Sequence, residues 1–169
     1  MTTVNKGAWL LALTLISAAA WAAPVKVAVY QRALGAASVI KALKEDKTLQ
    51  VTGVKDLKLD TLLAHDVLIL GGFSVDKHED VRAIQTYAAC GGGVVFNHSS
   101  CGRRKPATLF PSVAKKVVDR REDTIVVVKD PAHPLAAGVG KEFEHAFMDH
   151  LFLEPGENGV VVVEDRQGA

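Results

Sequence analysis

The sequence predicts an α/β domain organised around a mainly parallel sheet, and three observations carry that prediction. Short β-rich runs alternate with segments of helical spacing through most of the first hundred residues. One of those runs, Val67-Leu68-Ile69-Leu70, is apolar at every position, as a strand covered on both faces must be. A glycine triplet, Gly91-Gly92-Gly93, then releases a further apolar run that empties into the polar stretch Asn97-His98-Ser99-Ser100-Cys101-Gly102-Arg103-Arg104. In an open parallel sheet ligands collect at the carboxyl ends of strands, so this last loop is the first place to look for function.

Taken in order, Val25 to Tyr30 is the first strand and Gln31 to Ala37 a loop. Ser38 to Asp46 reads as a helix, with Val39, Ile40 and Leu43 on one face. Leu49 to Val54 is the second strand, and Leu57 to Ala64 a connector holding one helical turn. Val67 to Leu70 follows as a strand stopped by Gly71-Gly72. Asp76 and Glu79 have the spacing of a capping box, so a helix is expected from there to Ala89, turning Val81, Ile84 and Ala88 to the core and Lys77, Asp80, Arg82 and Gln85 to water. Val94 to Asn97 is the next strand. This alternation, under the rule of right-handed crossovers, narrows the topology to a flavodoxin-like arrangement with helices on both faces of the sheet.

The second half is less regular. Pro106 opens a short helix toward Leu109, which Pro111 stops. Val113 to Arg121 and Thr124 to Lys129 are strand candidates separated by the charged turn Arg121-Glu122-Asp123. Asp130 to Leu135 is a proline-stiffened loop with a turn at Gly138. Phe143 to Leu153 alternates as one strand would, and Val160 to Val163 reads as a strand after the turn at Pro155 to Gly159. With Arg166-Gln167-Gly168 as a turn, that strand is the first arm of a hairpin without its second, and the expectation is a truncated chain or an open sheet edge.

Composition bounds the function. With 49% hydrophobic and 23% charged residues the chain suits one globular domain, and a net charge of +1 gives no general attraction to nucleic acid. Residues 1–22 have the form of a Sec-type signal peptide: Lys6, an apolar run from Trp9 to Ala19, and small residues at Ala20 and Ala22. Cleavage is expected after Ala22 or Ala23, with export to the periplasm or medium, because the run is shorter than the roughly 20 residues of a membrane span. No membrane span is expected in the remainder, residues 23–169. The two cysteines are expected to be free thiols, since a strand between them rises about 3.3 Å per residue and separates Cys90 from Cys101 by more than the ~7 Å a disulfide tolerates.

Four segments then act together: Val25 to Tyr30, Val67-Leu68-Ile69-Leu70-Gly71-Gly72, the block from Tyr87 to His98, and His133-Pro134-Leu135-Ala136-Ala137-Gly138. In this order, over most of residues 23–169, they resemble a ThuA-like (trehalose-utilisation) domain of the class I glutamine amidotransferase-like superfamily. The resemblance implies a flavodoxin-like three-layer sandwich and a link to carbohydrate metabolism. His98 matches the histidine that ThuA-like proteins carry after this strand, where true amidotransferases place a cysteine nucleophile. Family members continue past the equivalent of Gly168, so the resemblance implies that this chain lacks its last strand.

The residues themselves argue against acyl-transfer chemistry. A nucleophile on a strand-to-helix elbow needs small residues two before and two after it, and Cys101 has Ser99 and Arg103 there. Arg103, Arg104 and Lys105 would favour a Cys101 thiolate, with His98 or His133 as base, which keeps a cysteine-dependent hydrolase or amidotransferase relative as the second reading. For a metal, His145 and Asp149 would share one face of a strand from Phe143 to Leu153, a weak pair; no metal or other cofactor is expected. The first reading is a non-catalytic binding or accessory module for a small, carbohydrate-like molecule. Gln31, Arg32, Phe73, Ser74, His98, Ser99, Ser100 and Arg103 would line its site at the carboxyl edge of the sheet. A third reading is a structural domain that binds a partner through the edge at Val160 to Val163.

Overall fold

Strand β1 (Val25–Tyr30) runs parallel to β2 (Leu49–Val54) on one side and to β3 (Val67–Leu70) on the other, and β4 (Gly93–Phe96) adds to β3, giving the order β2-β1-β3-β4. The structure is a computed structural model and describes residues 23–97, 100, 108–120, 125–145 and 150–166. Burial along each strand follows its position. Val27 to Tyr30 are buried without interruption because β1 is central and covered on both faces, whereas β2 and β4 at the two flanks alternate between more and less exposed residues.

The two faces carry separate cores. On one, Val27 and Val29 of β1, with Val51, Val67 and Ile69 beside them, receive Ala36, Val39, Ile40 and Leu43 of helix α1 (Ala36–Leu43). Those four helix positions follow the i, i+3, i+4, i+7 stripe that places apolar side chains on one face. On the other, Ala28, Tyr30, Leu68 and Leu70 pack against Leu62 of α2 (Leu59–Leu63) and against Ile84 and Tyr87 of α3 (His78–Ala89). The result is a three-layer arrangement with α1 on one side and α2 and α3 on the other.

Helix boundaries differ from the sequence reading for local reasons. The first helix was expected from Ser38 to Asp46 but begins at Ala36 and stops at Leu43. Asp46 belongs to the following turn, where its Oδ1 accepts the Thr48 amide at 2.8 Å and the Thr48 hydroxyl at 2.7 Å. Helix α3 starts at His78 behind Lys77, whose side chain gives no cap, and Glu79 pairs with Lys77 Nζ at 3.7 Å. Its inward face includes Tyr87, which the sequence reading passed over in favour of Ala88. The Tyr87 ring lies against Gly92, where an added Cβ would sit 2.2 Å from the ring, so only glycine fits beneath it.

Beyond β4 the chain builds antiparallel pairs. Thr108 and Leu109 are buried, and the Leu109 carbonyl accepts from Gln85 Nε2 at 2.9 Å, which ties the approach to β5 to helix α3. Strand β5 (Ala114–Arg120) pairs with β8 (His150–Pro155), while β6 (Ile125–Val128) lies between β7 (Glu142–Glu144) and β9 (Val163–Asp165). Two expectations are corrected here. The single strand from Phe143 to Leu153 is two strands in two different sheets, so its two ends do not share a face. The last strand is Val163–Asp165 rather than Val160 to Val163, and it is not an arm without a partner: it pairs with β6 in the register Val128↔Val163.

Candidate functional site

Parallel sheets open a crevice where the connections from two neighbouring strands leave on opposite faces. Here that point lies between β1 and β3: the chain leaves β1 for α1 on one face, and leaves β3 for α3 on the other. The residues just past these two strand ends are therefore placed at a crevice mouth by topology alone. The two loops meet closely, for a Cβ on Gly71 would lie 3.0 Å from the Leu34 carbonyl oxygen and 3.3 Å from the Ala33 Cβ.

Phe73 is the floor of this crevice. Its half-buried ring packs against the core of both faces and meets the buried Tyr30 ring edge-on, with centroids 4.9 Å apart at 70°. Above it lies Arg32, whose guanidinium carbon is 5.8 Å from the Phe73 centroid. This distance is within the range of cation–π attraction. Among the described residues Arg32 makes no ion pair and no hydrogen bond through its side chain, and it is exposed. Leu34, 76% exposed, stands at the same mouth.

The other expected site residues divide. Ser74 is half-buried on the loop after β3, and its hydroxyl has no partner among the described residues, so it remains available beside Phe73. Gln31 leaves the group: its side chain lies over Gly53 at the end of β2, with Nε2 only 2.5 Å from where a Cβ on that glycine would be. Ser100 is 2% exposed, and its hydroxyl accepts the Asn97 amide at 2.8 Å while its proton faces the carbonyls of Asn97 at 2.6 Å and Leu70 at 3.0 Å. It fastens the end of β4 to the end of β3 and is not open to a ligand. His98, Ser99, Cys101 and Arg103 lie outside the described residues, as do residues 1–22 and Asp149.

His133 sits at the start of a single 3₁₀ turn, Pro134–Ala136, where its Nδ1 accepts the Leu135 amide at 3.2 Å. That bond gives it a capping task in the loop between β6 and β7. His145 lies just beyond β7, and the continuous strand that would have aligned it with Asp149 is absent from the described residues. Among those residues no group of three or more histidine, cysteine, aspartate or glutamate side chains is arranged to hold a metal ion. Cys90, at the carboxyl end of α3, is a free and exposed thiol.

Burial, with the nearby Asp66 charge, pushes the Tyr87 hydroxyl above its ordinary pKa; that hydroxyl donates to the His65 carbonyl at 3.2 Å near the amino end of the sheet. Among the described residues the crevice mouth carries a cation, Arg32, an aromatic ring, Phe73, and a hydroxyl, Ser74.

Among solved structures, the chain is similar to a protein from Bacteroides uniformis described as ThuA-like, at 17% identity and a TM-score of 0.58, over 85% of this chain and 76% of that one. It is also similar to a cytoplasmic protein from Salmonella typhimurium, at 12% identity and a TM-score of 0.60, over 86% of this chain and 80% of that one. The chain has a flavodoxin-like fold. At such identities the likeness concerns the fold, and the flavodoxin-like strand order β2-β1-β3-β4 agrees with it. No family model and no curated protein matches the sequence. No helix among the described residues is long and apolar enough to cross a membrane.

Proposed function

We propose that this chain is a ThuA-like binding or accessory module, related to the class I glutamine amidotransferase-like superfamily, that holds a small carbohydrate-like molecule at the β1/β3 crevice. The observation that carries the reading is the edge-on Tyr30–Phe73 ring pair with the Arg32 cation over Phe73, at the point where the two connections diverge. A sugar presents apolar C–H faces and hydroxyl edges, and the crevice mouth presents the matching groups: Phe73 and Leu34 for the faces, Ser74 and Arg32 for the edges. The signal-like residues 1–22 support export to the periplasm or medium.

Isothermal titration of the purified protein against a panel of hexoses and hexose derivatives tests the reading. Saturable binding by at least one of them, weakened at least tenfold by Phe73→Leu, is expected. A panel that gives no heat and no thermal stabilisation, or binding indifferent to Phe73→Leu, would place any ligand elsewhere.

A further inference from the structure

We infer that the molecule held at the β1/β3 crevice is anionic, a sugar-like compound bearing a carboxylate or phosphoryl group, and that Arg32 reads the charge; the inference rests on the binding role proposed above. Three observations converge. The guanidinium carbon of Arg32 lies 5.8 Å from the Phe73 ring centroid, so the ring face attracts this cation at the crevice mouth. Among the described residues no carboxylate neutralises it, so its charge is open to a ligand, as is that of several surface lysines. Phe73 is itself fixed from behind by the Tyr30 ring and by the cores of both faces, so Arg32 rests on a rigid base at the crevice mouth.

A guanidinium offers two parallel N–H groups to a carboxylate or to two phosphoryl oxygens. A neutral hexose uses those donors poorly, because its hydroxyls give weaker bonds than an ionised acceptor. Arg32 is therefore a specificity-determining residue: the guanidinium selects the acid.

The test compares D-glucuronate, glucose 6-phosphate and methyl glucoside by isothermal titration on the wild-type protein, Arg32→Gln and Arg32→Lys. Expected is binding of glucuronate or glucose 6-phosphate about tenfold tighter than methyl glucoside, with the stronger of the two identifying the acidic group. Arg32→Gln removes that advantage, weakening the acids by a larger factor than methyl glucoside, and Arg32→Lys, which keeps the charge but not the fork, recovers part of it. Arg32 is exposed, so an unchanged melting temperature is expected for both variants and confirms that they fold. Equal binding of all three compounds, with Phe73→Leu still weakening them, overturns the inference and leaves the binding role standing. A preference for acids that survives Arg32→Gln also overturns it. No binding of any compound removes both.

Discussion

Replacing Ser100 by alanine separates a structural hydroxyl from a ligand-binding one. The side chain is 2% exposed, and its oxygen stands between the last residue before the β4 loop and the end of β3. Loss of the hydroxyl leaves the Asn97 amide with one longer contact, 3.4 Å to the Leu70 carbonyl, and deprives the Leu70 and Asn97 carbonyls of a donor. An unsatisfied buried group costs about 1–3 kcal/mol, and the remaining long contact together with water access at the exposed Asn97 puts the expected loss at about 1–2 kcal/mol. With a urea m-value of about 2 kcal/mol/M, the unfolding midpoint falls by about 0.5–1 M. Ser74→Ala is the control, since that hydroxyl has no partner among the described residues and its loss should change stability by less than about 0.5 kcal/mol. Hydrogen exchange at the Asn97 amide should quicken in Ser100→Ala alone. If the two variants unfold at the same urea concentration and Asn97 exchanges as before, the assignment of Ser100 to the backbone is wrong.

Gly92→Ala drives a methyl group into the Tyr87 ring and should cost about 1–3 kcal/mol in urea melts, a loss that Tyr87→Leu in the same chain relieves in part. The Tyr87 hydroxyl, raised by burial and by Asp66, stays protonated in the folded chain at a pH where the unfolded chain has lost its proton. Stability is thus complete below about pH 10 and falls as pH rises from there toward the folded value; Tyr87→Phe should show a shallower alkaline decline. The Asp46 carboxyl is held below the usual carboxylate range by the Thr48 hydroxyl first and the Thr48 amide second, so Thr48→Val should raise its midpoint in an NMR titration while the amide bond keeps part of the depression. The stabilisation is present above the unfolded value and lost as pH falls through the folded one, so wild type and variant converge in acid. His133→Ala removes the acceptor for the Leu135 amide, and with about 1 kcal/mol of capping gone the segment after β6 should be cut faster in limited proteolysis.

The central sheet was legible because each of its strands carries its own signal. Val67 to Leu70 is apolar throughout since β3 lies inside the sheet, and Val25 to Tyr30 ends in four buried residues for the same reason. Helix faces were legible from spacing, whereas helix ends were not. Those ends depend on competition between local bonds: Asp46 prefers the Thr48 turn to the last turn of α1, and Glu79 pairs with Lys77. Periodicity also fails where the chain changes sheets. Phe143 to Leu153 keeps an alternating pattern on both sides of the change, yet Phe143 pairs with Val126 and Leu153 with Val117. A period of two records that residues alternate, and it carries no information about which neighbour they alternate against.

The site shows the same limit at the level of single side chains. Arg32 and Phe73 could be placed at one mouth from the strand order, because residues after β1 and β3 must border the crevice in any sheet of this topology. What strand order cannot decide is which polar groups stay available there. Ser74 and Ser100 are the same residue type, each a few positions past the end of a parallel strand, and both read as ligand hydroxyls. Their difference lies in the backbone beside them. The Ser100 amide folds back to the Asn97 carbonyl at 3.1 Å, a turn that brings its own hydroxyl onto the Asn97 amide and the Leu70 carbonyl, whereas among the described residues no such turn reaches the Ser74 hydroxyl. Gln31 is diverted in a comparable way by the open space over Gly53. A polar residue at a strand end is therefore open to a ligand only when the surrounding main chain and packing leave it unused, and among the described residues at this crevice Arg32 and Ser74 meet that condition.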